Sequence, residues 1–564
     1  MRRIRRSLLC HERASRWRWS QKWDRNGSRV GGSPAGKWAC AGGEDEYLKH
    51  SMSTLAIDSR LKLQLLLWYG VLAVAVLLLG IFLASDLHFI AMMVAGVLGL
   101  ATLPYHAQIA ARVAIVTFGS ALVVPFLFGF MNAWEVAGFL GWSGAVVTIM
   151  LRHQSASFGE TLRRNKCVYL GVVGFSLVMF ILMRAHHVGF HSLGGTSGAR
   201  QYVANIICAI FPVLFALTDM NEKTVFRLIV LQYALMFTFL VPDLAVATGK
   251  FQWVFYMLTP PVDSFNFEQN FQNFGFRRLQ SFQSLGLGIV GVLLLYNPLR
   301  RFLTGRGIWL LPALAIGLGV GLLSGHRSFF ISLVIMFAIM AWAQRFFTMR
   351  HQLLVGCVLV PLLAFVYIFA DALPDAGQRA VSFLPGIQVN AKAELDANGT
   401  YMMRKEMATI GIKMIPHNLW IGRGFPIWNA AFNSAEHPDL RTINLFVEQG
   451  AFASGLIGLM VDTGLPGCLC MLLVILGGSI ASWRIFRETR RHGYEDRFAL
   501  ACCLSAASWL STLFGFVFIQ GNACAAMLTL GLPCGLVILC ERMLRQRAQP
   551  GADEVPVAQG VGGS

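Results

Sequence analysis

The sequence predicts an all-α polytopic membrane protein of about 12–14 transmembrane helices. One large extracytoplasmic loop containing short helices interrupts them. Three observations carry this prediction. The 564 residues are 55% hydrophobic and only 13% charged, with a mean hydropathy of +0.58; a soluble domain carries roughly 25% charged residues. Apolar runs of about 20 residues, the length needed to span a bilayer, recur along the chain with short basic loops between them. A single polar stretch, Asp371 to Ala453, is too long and too polar to cross a bilayer, and carries Arg379, Lys392, Arg404, Lys405, Lys413, Arg423 and Arg441.

Residues 1–60 form a basic tail with no apolar core suited to a signal peptide. It is expected to be cytosolic and disordered, or to be absent if translation starts at Met52. Apolar segments follow at 63–84, 86–104, 111–131, 134–151, 167–184, 202–219, 224–243, 282–298, 307–324, 326–344, 353–371, 454–482, 497–519 and 521–541. With the N-terminus inside, Arg112, Arg163, Arg164, Lys166, Lys223, Arg300, Arg301, Arg345, Arg350, the Arg484–Arg497 run and Arg542–Arg547 all fall on one side. Lys and Arg collect in short cytoplasmic loops, so this alternation places both termini in the cytoplasm. The same bias accounts for the net charge of +18 without a nucleic-acid partner. The expected organisation is a tail (1–60), about eleven membrane helices (61–371), a periplasmic loop (372–453), C-terminal membrane helices (454–541) and a second cytosolic tail (542–564).

None of the twelve cysteines lies in the long loop, so the loop has neither a disulfide framework nor a cysteine metal knuckle. Cys468 and Cys470 read as small hydrophobes inside a helix. No H-E-x-x-H, D-x-D, G-x-S-x-G or Walker pattern occurs, so the signatures of metal hydrolysis, serine nucleophiles and ATP-driven transport are lacking. No cofactor and no metal ligand set is expected. Within the loop, Met403, Met407, Ile410 and Met414 recur at helical spacing and predict a helix over Tyr401–Ile415. Asn398-Gly399-Thr400, also a glycosylation sequon, is expected to break the chain before it, and Pro416 to stop it. Gly422, Gly424 and Pro426 mark a tight turn.

Four arginines fall on the outer side, where topology does not call for them: Arg278, Arg327, Arg379 and Arg404. Arg278 follows an aromatic loop at 244–281, and Arg327 sits in the hairpin Ser324-Gly325-His326-Arg327-Ser328. Any one of them is explained by a lipid headgroup or an ion pair. Together, beside a large loop, they suggest an anion site, because the guanidinium fork binds phosphate oxygens bidentately and stays charged. Candidate proton-transfer groups are His326, His417, His437, Glu406, Glu448 and Asp462.

Four stretches in this order resemble the bacterial O-antigen ligase and polymerase family. They are Arg278-Leu279-Gln280-Ser281-Phe282; the hairpin Leu323–Ser328; Pro416–Phe425 with its Gly422-Arg423-Gly424; and Leu456–Gly467, ending Val461-Asp462-Thr463-Gly464-Leu465-Pro466-Gly467. The resemblance covers about residues 230–480. One departure concerns chemistry. The family places a His-Asn or His-Ser pair nine residues before the acidic residue of the last motif, and here that position is Ala453-Ser454.

The resemblance implies a membrane glycosyltransferase that moves a glycan from an undecaprenyl-diphosphate carrier to an acceptor hydroxyl, as a ligase or a polymerase of surface polysaccharide. It implies a bacterial inner-membrane location and lipid-linked glycan substrates. Arg278, Arg327, Arg379 and Arg404 would bind the diphosphate, and His417 or His437 would replace the missing base. The competing expectation is a lipid-linked oligosaccharide flippase or other multi-pass transporter. That class keeps short loops and two similar halves, which this chain lacks.

Overall fold

A computed structural model describes residues 96–548, apart from gaps of which the longest are 125–130, 151–156, 189–198, 259–280, 347–359 and 426–442. The chain divides into two compact units, Met1–Val97 and Leu98–Ser564, and nearly all described residues belong to the second. The expected segments 63–84, most of 86–104 and most of 353–371 lie outside the described residues.

The fold is all-α and polytopic, as the composition predicts. Its helices are α1 (His106–Thr117), α2 (Ala133–Met150), α3 (Phe158–Arg164), α4 (Lys166–Ala185), α5 (Ala199–Cys208), α6 (Phe211–Leu217), α7 (Glu222–Leu235), α8 (Leu240–Thr248) and α9 (Ser281–Tyr296). Then come α10 (Leu311–Leu323), α11 (Arg327–Ala343), α12 (Asp375–Val381), α13 (Ala391–Met414), α14 (Gly455–Asp462), α15 (Gly464–His492), α16 (Arg497–Phe514) and α17 (Ala526–Ala548). The described strands are a two-residue pair, Val123–Val124 with Met131–Asn132. Among the described residues, seven stretches are long and apolar enough to cross a membrane, and three shorter apolar helices (α9, α10, α11) join them.

Several expected spans are broken where the sequence supplies a reason. Segment 202–219 becomes α5 and α6, with Pro212 in the first turn of α6. Segment 454–482 becomes α14 and α15, parted at Gly464, whose φ of +69° favours glycine. Arg112, expected in a cytoplasmic loop, lies inside α1. There it faces out while Ala107, Ala110, Ala111 and Ala114 pack inward.

Helix association in lipid depends on close packing of small residues, because lipid tails are as apolar as leucine. α16 follows this rule with the buried run Ala501-Cys502-Cys503-Leu504-Ser505-Ala506-Ala507. It packs on α11, α15 and α17. A Cβ on Gly174 of α4 would stand 2.7 Å from Cys470 Sγ of α15, so this cysteine fills the seam between those helices as a small apolar group. The span containing α17 is 78% buried, against 28% for the span containing α7 and α8, which makes α17 central. Buried Asn205 locks the start of α17 by donating to Cys524 O at 2.6 Å and accepting from Met527 N at 2.9 Å.

The bundle has two distinct ends. At one, Arg164 pairs with Glu541, Arg547 with Asp496 and Glu222, and Arg545 with Glu160. At the same end Leu299 N donates to Gln344, Arg497 lies over Tyr296, and Arg490 over Trp342. The described residues of the basic loops from Glu160 onward therefore gather together, as the charge alternation requires. The polar loop segments meet one another at the opposite end.

Candidate functional site at the polar-loop end

The site is built on the hairpin between α10 and α11. Gly325 turns it with a φ of +70°, and a Cβ there would stand 3.2 Å from Ala376 O, so the position suits glycine on both counts. Ser324 Oγ donates to Gly321 O at 2.6 Å and accepts from His326 N at 3.2 Å, closing the turn. Arg327 is the first residue of α11. Its Nη2 donates to Ser382 Oγ at 2.8 Å, and that hydroxyl donates on to Arg379 O at 2.9 Å.

Short helix α12 clamps the hairpin to the loop helix α13. Arg379 is 7% exposed; it pairs through Nε with buried Asp396 of α13, donates through Nη1 to Gly325 O at 2.6 Å, and through Nη2 to Thr400 Oγ1 at 3.2 Å. Its neighbour Gln378 donates to Asp371 O and Leu373 O and accepts from Asn390 N. Asn390 in turn caps α13, its side chain accepting from Lys392 N.

This corrects the expected helix start. α13 begins at Ala391, ten residues before Tyr401, and Asn398-Gly399-Thr400 is helical throughout. The ion pair at Asp396 and the Thr400 hydroxyl, which donates to Asp396 O at 2.9 Å, hold the backbone in helix where an isolated Asn-Gly favours a turn. The predicted apolar face is present: Met407 is buried, and Met403, Ile410 and Met414 pack with Val447, Phe452 and Val461. Asp396, Thr400 and Arg404 are spaced by four and share one stripe of α13. Arg404, half-buried, thus lies one turn beyond the residues that touch Arg379.

After α13 the chain makes a 3-10 turn at Pro416–Asn418, and His417 on it is exposed. The Gly422-Arg423-Gly424 turn then docks against the end of α14. Arg423 N donates to Val461 O at 2.9 Å and Gly424 N to Asp462 O at 3.0 Å. Gly422 and Gly424 have positive φ, and a Cβ on Gly422 would stand 2.3 Å from Asp462 O. The Arg423 side chain donates through Nε to Asp462 Oδ1 at 2.6 Å and through Nη2 to Val447 O at 2.8 Å, and lies over the Phe452 ring at 5.0 Å. Asp462 is fully buried; burial pushes its carboxyl up to about 7 although Arg423 pulls it down. His186 Nε2 donates to Gly422 O at 3.2 Å and Phe425 N donates to Tyr202 Oη at 2.6 Å, which ties this turn to α4 and α5. The sequence reading singled out Asp462 but did not foresee its pairing with Arg423; the signal was there, since each is the charged residue of a glycine-rich motif.

Ala453 has a φ of +57° and lies against the Met407–Phe452 cluster. Arg278 and His437 lie outside the described residues. Arg278 precedes by three residues the start of α9, whose Ser281 N donates to buried Asp243 at 2.9 Å.

Beside the hairpin, a cavity of about 310 Å³ opens between α7, α9, α11 and α16. Ser328, next to Arg327, lines it together with Gln232, Gln283, Ser284, Ser332, Ser508, Ser511 and Thr512 among apolar side chains. At its edge α16 continues into a π-helical turn, Gly515–Gln520, a geometry frequent at functional sites. Among the described residues no group of three or more His, Cys, Asp or Glu comes together.

An all-α multi-pass membrane protein with a polar loop clamped onto an arginine-bearing hairpin is the class that these features define. Residues 312–472 match the family model described as O-antigen ligase. That stretch, less than a third of the chain, is therefore similar to the O-antigen ligases. The match runs from α10 into α15 and contains the hairpin, α12, α13, the Arg423 turn and α14. It is narrower than the 230–480 suggested by the four motifs and leaves Arg278 outside. No curated protein matches the chain at a significant level.

Proposed function

We propose that the chain is a metal-independent glycosyltransferase that moves a glycan from an undecaprenyl-diphosphate carrier to an acceptor hydroxyl, with the polar loop on the periplasmic face of a bacterial inner membrane. The observation that carries this reading is the clamp. Through α12, the Arg327 hairpin and the Arg404-bearing helix α13 are brought together beside a cavity lined by hydroxyls and apolar groups. A polyprenyl diphosphate has the same two-part chemistry, an anionic head on an apolar chain.

In this reading the acceptor oxygen attacks the anomeric carbon, and the carbon–oxygen bond to the diphosphate breaks with its electron pair leaving on the diphosphate. Arg327 and Arg404, together with Arg278, stabilise that developing charge, which is where fixed donors contribute most to catalysis. Arg379, already committed to Asp396, Thr400 and the Gly325 carbonyl, sets their spacing. The acceptor's proton goes to His417 or His437, because Ala453 offers no base.

Arg327→Ala and Arg404→Ala should each reduce transfer by the purified protein by at least about a hundredfold, the scale for losing one transition-state charge donor. Membrane levels should be unchanged, and lysine should rescue only in part because it lacks the guanidinium fork. Full activity in both alanine variants rejects the arginine mechanism. Transfer that persists in chelator supports metal independence, and a purified protein that moves lipid-linked glycan across vesicles without joining it to an acceptor is a flippase. In a deletion strain, unlinked lipid-carried polymer identifies a ligase and single-repeat glycan a polymerase.

A further inference from the structure

At the end of the bundle opposite the polar loop, a pocket of about 230 Å³ lies among α3, α15 and α17. Five arginines line it: Arg164, Arg484, Arg487, Arg491 and Arg545. The two carboxylates in the lining do not cancel them. Glu541 is 5% exposed and already accepts from Arg164 at 2.6 Å, Asn165 at 3.1 Å and Arg484 at 3.3 Å. Glu488 accepts from Arg491 along the same helix at 3.0 Å. Arg545 is paired with Glu160 at 2.8 Å. Arg487 is exposed and pairs with no carboxylate among the described residues. The positive-inside bias explains why arginines populate this end, but not why they converge on one cavity.

A second observation sets the depth of the pocket. Trp483 directly precedes Arg484 on α15 and stacks on Trp342 of α11, with ring centroids 5.1 Å apart. Trp483 is 56% exposed, and Arg490 lies over the Trp342 ring at 5.2 Å. Exposed tryptophan on a spanning helix sits at headgroup level. The pocket thus has a guanidinium rim, an apolar floor of Ile485 and Leu544, and a tryptophan marker of the interface beside it.

We infer that this pocket binds a phosphate group presented at the membrane surface, as on the headgroup of an anionic phospholipid. Arg487, which pairs with no carboxylate among the described residues, and the donors that Arg491 does not give to Glu488 face the rim, while Arg164 and Arg484 hold the pocket's shape through Glu541. Basic pockets between membrane helices are suited to anionic headgroups. The inference does not depend on the proposed transfer reaction, since no residue of the polar-loop end takes part.

The test uses the full-length protein in nanodiscs of phosphatidylcholine doped with phosphatidylglycerol or cardiolipin, with bound lipid counted by native mass spectrometry after release into detergent. Wild type should retain anionic lipid over phosphatidylcholine, and the exposed double variant Arg487→Ala/Arg491→Ala should weaken that retention tenfold or more. The charge-matched control Arg163→Ala/Lys166→Ala, outside the pocket, should behave as wild type. Equal losses in the two double variants, or no preference in wild type, overturns the inference. Millimolar inorganic pyrophosphate separates the sources: if it displaces the lipid, the site reads phosphate itself, and if it does not, the site needs the whole phospholipid.

Discussion

Ala453 shows how much one residue's backbone can say about chemistry. A non-glycine residue with a φ of +57° is held in the left-handed region, at a cost of roughly 1–3 kcal/mol that its surroundings must over-determine. Histidine and asparagine tolerate that region better than alanine does. Ala453 is held in it beside the Met407–Phe452 cluster. Ala453→Gly should stabilise the protein by about 1 kcal/mol through relief of that strain, read as a higher unfolding midpoint in detergent. Ala453→His should raise transfer if the family base is what this chain lacks, and unchanged turnover would show that it uses another group. Asp396 is the residue-scale counterpart in the clamp. Asp396→Ala leaves Arg379 buried and uncompensated, which should cost about 3–5 kcal/mol and lower the midpoint accordingly.

Helix α13 is the element on which local and tertiary signals disagree. Its apolar face was legible because Met403, Met407, Ile410 and Met414 follow the helical period and do pack together. Its first ten residues were not, because Asn-Gly-Thr is a turn signal at short range. The force that overrides it, the Arg379–Asp396 pair, joins residues 17 apart. The Arg423–Asp462 pair was hidden for the same reason: its members are 39 residues apart and only the folded turn brings them together. Position 399 offers a clean measurement of the override. A Cβ on Gly399 would meet nothing within 4 Å, and its φ is not positive. Gly399→Ala should therefore stabilise α13 by about 0.5–1 kcal/mol, whereas a functional need for a hinge at this point would show as lost transfer at full stability.

At the scale of the molecule, the alternation of basic loops predicted two chemically different ends, and the ends are present. Six basic loops that are far apart in sequence meet through Arg164–Glu541, Arg547–Glu222, Leu299–Gln344 and Arg497–Tyr296. The polar segments meet at the other end through Arg379–Gly325, His186–Gly422 and Phe425–Tyr202. Which end faces the cytoplasm is a matter of charge. Arginine is retained on the cytoplasmic side during insertion, so the arginine end should be inside and α13 outside. Exposed Lys405 and exposed Arg491 report on the two ends. In a background lacking Cys10 and Cys40, the two cysteines outside the apolar segments, Lys405→Cys should react with a membrane-impermeant maleimide in cells whose outer membrane has been permeabilised. Arg491→Cys should react only after the inner membrane is opened. The reverse pattern would place the arginine clamp in the cytoplasm, on the wrong side for the proposed periplasmic transfer.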